Sequence, residues 1–237
     1  MTTQNTPRAI LFDLDSALIS RGLSLTNFAE RFAAHFAERL GGVTARGVAY
    51  GLSEVDGNGF RTHAELAGEL RDLFPWRPRP SVEELTAYWD EVFPQCVAPD
   101  PEALPVLRWL RERGIALGVV TNGEPEMQRA KIAALALDDF FTAPLIAGEV
   151  GLETSDRRLY TRAAEALGVS PGAIWMVSGH SKDCLAARDA GLGAIFLQRV
   201  FYWPRDAEPP AHEITTLGEL VVLLGGEAID EAIDGAR

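Results

Sequence analysis

RAILFDLD, residues 8–15, is a short apolar run that stops abruptly on two carboxylates, Asp13 and Asp15. A run of four or five apolar residues bounded this way reads as a strand buried on both faces. The next seventy residues carry a different period. Leu25, Phe28, Ala29, Phe32, Phe36 and Leu40 fall on one helical face. Leu66, Leu70, Leu73 and Phe74 mark a second helix, opened by a Thr62-x-x-Glu65 capping box. Leu85, Tyr88, Trp89, Val92 and Phe93 mark a third behind Ser81-x-x-Glu84. No convincing strand interrupts this helical stretch.

Beyond the proline-rich hinge at residues 99–101, strands and helices alternate. A helix is expected over 101–113, with Pro101 in its first turn, then a strand over 115–120. A helix over 124–135 and a short strand over 144–147 follow. The pattern continues with a helix over 156–167, a strand over 173–177, a helix over 183–190 and a strand over 193–197. Apolar strands alternating with amphipathic helices make a parallel sheet covered on both faces. The fold class is therefore α/β: a Rossmann-like, doubly wound parallel-sheet core. The first strand joins that sheet, so the helical stretch is an insertion. The domain reading is a core of residues 1–20 and 98–237 with an inserted α-helical cap over 21–97.

Composition narrows the partners. The 237 residues carry 34 Asp and Glu against 22 Lys and Arg, for a formal charge of −12. A chain this acidic is poorly suited to nucleic acid or to an anionic membrane surface. No apolar run reaches the ~18 residues of a membrane span. The N-terminal residues lack the basic-then-apolar pattern of a secretory signal. Two cysteines, Cys96 and Cys184, make no disulfide framework, so a reducing, cytoplasmic setting is expected.

In open parallel sheets, ligands bind beyond the carboxyl ends of the strands. Three polar clusters fall there: Asp13-Leu14-Asp15, Thr121-Asn122-Gly123 and the run Ser178 to Asp183. Carboxylates two residues apart past a strand end suit a nucleophile paired with a general acid. Capping of a turn is the structural alternative for an isolated Asp-x-Asp. The matching clusters on two other strands favour chemistry.

These segments resemble the haloacid dehalogenase superfamily, in particular its phosphatase-like members with a helical cap. FDLDSAL (Phe12–Leu18) is similar to the first family motif, and VVTNGEPEMQRAKIAAL (Val119–Leu135) to the second and its helix. IAGEVGLETSDRRLYTRAAEALGV (Ile146–Val169) resembles the third region, and MVSGHSKDCLAARDAGL (Met176–Leu192) the fourth. The resemblance implies Asp13 as the nucleophile that becomes an aspartyl-phosphate. It implies Asp15 as the acid/base, with Thr121 and the Asn122 amide holding the phosphoryl group. It implies Mg²⁺ on Asp13, the Asp15 carbonyl and Asp183. The partner so implied is a small phosphorylated or anionic molecule, over which the cap would close.

The chain departs from that pattern at three places. Ala17 stands where the first motif has a threonine. Thr154 stands where the third has its lysine, and Gly179 where the fourth has a metal-binding aspartate. Phosphoryl transfer rests on positioning and charge neutralisation, so weak turnover is expected. Lys182 is the first candidate to supply the missing charge and to contact substrate, ahead of Lys131, whose position suits a solvated helix face. A catalytically inactive relative that binds a small anion or a protein is the alternative. The fourth segment also looks like that of metal-free 2-haloacid dehalogenases, although those enzymes lack a second carboxylate equivalent to Asp15. A serine hydrolase on Gly179-x-Ser181 fails for want of the closing glycine. A calcium loop at Asp56 fails on Phe60 and Ala67, where oxygen ligands belong. Trp76 and Arg77, in the Phe74–Pro80 loop, are the expected specificity residues of the cap.

Overall fold

The computed structural model describes residues 6–228, apart from 60 and 143. The chain divides into two compact units. One comprises the chain up to Ile19 together with that from Pro99 onward, and the other is Ser20–Ala98.

Among the described residues, the first unit holds one parallel sheet of order β3-β2-β1-β4-β5-β6. Its strands are β1 (Ala9–Asp13), β2 (Ala116–Thr121), β3 (Leu145–Ile146), β4 (Ile174–Ser178), β5 (Gly193–Leu197) and β6 (His212–Ile214). All five residues of β1 are buried, as a central strand covered on both faces requires. Register is set by pairs such as Leu11 with Gly118 on one side and with Met176 on the other. From β1 the sheet grows outward through β2 and β3, then resumes on the opposite side with β4. The strand order therefore reverses at β1, and the adjoining carboxyl ends are where a ligand site belongs.

Within the second unit, the described helices are α1 (Arg21–His35), α2 (Ala45–Val55), α3 (His63–Leu73) and α4 (Val82–Val92). The Thr62–Glu65 capping box is present in full. Its counterpart at Ser81 is half made, because Ser81 accepts from the Glu84 amide while the Glu84 carboxylate is taken by Arg39. Phe28, Phe32, Phe36, Trp76 and Trp89 form an aromatic core. Trp76, expected at the specificity surface, is thus buried, with its indole N–H on the Leu70 carbonyl at 3.1 Å. Asp56, the head of the rejected calcium loop, is buried in a two-bond pair with Arg21.

The sheet is covered by α5 (Ala103–Glu112), α6 (Pro125–Ala134), α7 (Arg157–Leu167), α8 (Ser181–Asp189) and α9 (Gly218–Leu223). Leu159, Tyr160, Ala163 and Ala187, from α7 and α8, pack against Leu11, Val120 and Met176. Pro101 is not in the helix expected for it. The Asp100 carboxylate accepts from the Glu102 amide at 3.0 Å, and α5 starts two residues later. The chain passes between the units twice, and the passages pair side by side. Ile19 bridges Pro99 in antiparallel fashion, Ser20 N–H donates to the Ala98 carbonyl at 3.0 Å, and Asp100 N–H to the Leu18 carbonyl at 2.8 Å.

Candidate active site

Each of the three central strands runs one residue further than its apolar segment, so a polar side chain ends each: Asp13 on β1, Thr121 on β2 and Ser178 on β4. After β1 the chain winds through a short π-helical turn, Leu14–Leu18. The Asp13 carboxylate caps it, with Oδ2 accepting from the Ser16 amide at 2.5 Å. The capping alternative for the Asp-x-Asp pair is therefore realised, and it is compatible with chemistry because it fixes the carboxylate at the strand end. Asp13 is almost fully buried. Burial, followed by the charges of Asp183 and Asp15, pushes its pKa up from 3.8 to about 7.

Asp183 enters from the first turn of α8 and is also buried. Desolvation raises its pKa, against the Thr154 hydroxyl, the nearby His180 and the Ser178 hydroxyl, which hold it down. Ser178 Oγ donates to Asp183 Oδ2 at 3.1 Å and accepts from the His180 amide at 3.0 Å. Thr154, at the position of the family lysine, is buried and gives Asp183 a neutral hydroxyl instead of a charge. Its carbonyl accepts from the buried Tyr160 hydroxyl at 2.8 Å.

Thr121 donates to Gln128 Oε1 at 3.2 Å, shared with the Asn122 carbonyl at 3.3 Å. Asn122 is exposed, and its Oδ1 accepts from the Thr154 amide at 3.3 Å, tying the second loop to the third. Gln128 lies on α6. One turn further along the same face, Lys131 is buried and its Nζ donates to Asp15 Oδ1 at 2.6 Å. Lys182 is exposed on α8. The expected order of the two lysines is thus reversed, since the inward one is Lys131. Gln128 escaped the sequence reading, and Ser178 was placed in the third polar cluster without a role of its own. The signal for Gln128 is the three-residue spacing that places it and Lys131 on one helix face.

The structure therefore gathers Asp13 with Asp183, and Thr121 with Gln128. Asp15 is carried on the same turn as Asp13, two residues on. Among the described residues, no three His, Cys, Asp or Glu side chains are grouped as a self-sufficient metal centre. Also among those residues, no helix is long and apolar enough to cross a membrane.

Sheet order and parallel pairing define the class of fold, a Rossmann-like α/β sheet. The haloacid dehalogenase-like hydrolase profile matches residues 7–191, and the chain belongs to that family. It is 38% identical over 130 residues to a phosphoserine phosphatase of Thermus thermophilus, a match covering 54% of this chain and 51% of that one. The chain spans about half the length of that relative. Over 222 residues it is 27% identical to a glyceraldehyde 3-phosphate phosphatase of Pyrococcus furiosus, covering 92% and 91% of the two chains. An L-2-haloacid dehalogenase from Xanthobacter autotrophicus superposes with a TM-score of 0.66 at 20% identity, over 94% of this chain and all of that one.

Proposed function

We propose that this chain hydrolyses small phosphomonoesters through Asp13, with turnover slowed by the losses at positions 154 and 179. The observation that carries the reading is the pair Asp13 and Asp15 on one capped turn at the end of β1, with Thr121 closing β2. Similarity to two phosphatases supports it. In the first half-reaction an Asp13 carboxylate oxygen forms a bond to phosphorus, and the ester oxygen leaves with a proton from Asp15. In the second, Asp15 takes a proton from water as its oxygen attacks phosphorus, which releases phosphate and regenerates the Asp13 carboxylate. With substrate bound, the Thr121 hydroxyl would turn its proton from Gln128 and the Asn122 carbonyl to a phosphoryl oxygen.

The donor set fits a partly hydrated Mg²⁺. Asp13 and Asp183 are buried hard-oxygen donors close enough for the Asp183 charge to raise the Asp13 pKa, and Mg²⁺ commonly takes only one or two carboxylates. Asp13, Asp183 and the Asp15 carbonyl would hold it. When bound it supplies neutralisation of the phosphoryl oxygens. The test is phosphate release from a panel of phosphomonoesters with and without Mg²⁺, comparing wild type with Asp13→Asn. Turnover abolished by Asp13→Asn supports the reading, and silence of the wild type across the panel sinks it.

A second reading, displacement of halide from a 2-haloacid by Asp13, is favoured by one observation. The Ser178 hydroxyl on Asp183 occupies a fourth segment that has no aspartate at position 179. Metal-independent halide release from 2-chloropropionate would select it. A protein active on neither class is the inactive relative.

A further inference from the structure

We propose that Lys131 is a positioning residue: its ammonium holds Asp15 Oδ1 and so orients the carboxyl group, leaving the other oxygen to give and take the proton, a charge brought from α6 that position 154 does not supply in this chain. The inference rests on the phosphatase reading of Asp15 given above.

Three observations carry it. First, Lys131 is only 7% exposed on a helix that has ample access to water, as Arg129 two residues earlier shows by its exposed pair with Glu149. A lysine with no inward task extends its ammonium into solvent. Burying that charge is unfavourable unless a counter-charge meets it. Second, the counter-charge is Asp15, 2.6 Å away and 116 positions earlier in sequence. A local helix pair would have been simpler to build; this one joins α6 to the turn after β1. Third, Gln128 on the same face holds the Thr121 hydroxyl at 3.2 Å. One face of α6 thus fixes both the side chain that ends β2 and the second carboxylate beyond β1. Position 154 carries only a neutral hydroxyl, which favours the charged form of Asp183.

The experiment compares wild type, Lys131→Met, Lys131→Arg, Asp15→Asn and the Lys131→Met/Asp15→Asn double variant, with p-nitrophenyl phosphate and Mg²⁺. Far-UV circular dichroism and thermal melts confirm folding. A carboxylate released from its orientation costs chemistry rather than binding. Lys131→Met should therefore lower kcat by about 30-fold with KM held within about threefold. Lys131→Arg should recover most of the loss. In the Asp15→Asn background, Lys131→Met should change kcat by less than about twofold, because the two residues act as a unit. Independent multiplication of the two losses, or an unchanged kcat, overturns the inference.

A second readout does not depend on turnover. With ¹³Cγ-labelled aspartate, the Asp15 carboxyl resonance should move in Lys131→Met and return towards its place in Lys131→Arg. A resonance unmoved by Lys131→Met overturns the inference even in an active enzyme. A wild type inactive on every ester, with the resonance shifting as expected, overturns the phosphatase reading and leaves the positioning of Asp15 supported.

Discussion

Ser16 crowds the place where a side chain at position 179 would begin. Its Oγ accepts from the Gly179 amide at 2.8 Å, and a Cβ at 179 would lie 3.0 Å from Ser16 Cβ and 3.3 Å from the Leu197 carbonyl. Position 179 is therefore tightly packed against the turn after β1, which ties the two loops together.

Gly179→Asp alone is accordingly expected to destabilise the fold by about 1–3 kcal/mol through overpacking. Ser16→Gly in the same chain should return at least half of that. Denaturant melts of the two variants check it, and an undiminished midpoint in Gly179→Asp would show that Ser16 yields freely.

The pH dependence of stability follows from Asp13. Its folded pKa of about 7 lies above the ordinary 3.8, so between those values the folded chain keeps a proton that the unfolded chain gives up. The resulting stability is fully present below about pH 4 and is lost as pH rises towards 7. Asp13→Asn should melt several degrees above wild type at about pH 8 in the absence of metal, with the gap narrowing as pH falls and smallest near about pH 4. Added Mg²⁺ should raise the wild-type melting temperature at about pH 8 and leave Asp13→Asn nearly unchanged. Parallel curves for the two proteins across that range would contradict the assignment.

Thr154→Val removes a neutral hydroxyl that favours the charged form of the buried Asp183. The loss should cost about 1–3 kcal/mol near neutral pH, because a charged acceptor is left short of a donor. The deficit should shrink in acid, as Asp183 gains a proton. Urea titrations at two pH values test both halves.

In the helical unit, Arg21→Met leaves the buried Asp56 carboxylate without its guanidinium. Arg21 is about one third exposed on its side chain, so water screens part of the pair. A cost of about 2 kcal/mol is expected, below the full penalty for breaking a buried pair. Asp56→Asn/Arg21→Met should be milder than Arg21→Met alone. A double variant worse than the single would mean that Asp56 serves α2 by another route.

Much of the core was legible because its strands are apolar and bounded. Gly193–Leu197 is found at its expected limits. β1, β2 and β4 each run one residue past the expected end, because their last register positions are given to Asp13, Thr121 and Ser178. Hydropathy stops where the chemistry begins. α2 was hidden by Gly47 and Gly51, which weaken helix propensity; Gly51 sits against Leu73 and Phe74, where a Cβ would clash. The short β6 and α9 carry too few residues for a period to emerge. In the site, charge and spacing pointed to the carboxylates. The burial of Lys131 had no such signal, since a lysine amid Arg129, Ala130 and Ala133 reads as a solvated face until the partner strand loop is in place.

The paired passages at Ile19–Pro99 give the insert a closed seam. Its entry and exit are stitched together, as in a loop grafted between adjacent points on a host. Lengthening, shortening or exchanging Ser20–Ala98 should leave the register of β1 undisturbed as long as both ends return to the same stitch. The sheet and its carboxylates can then stay fixed while the inserted part is traded for another, which makes the seam the natural cut point for chimeras with other members of the family.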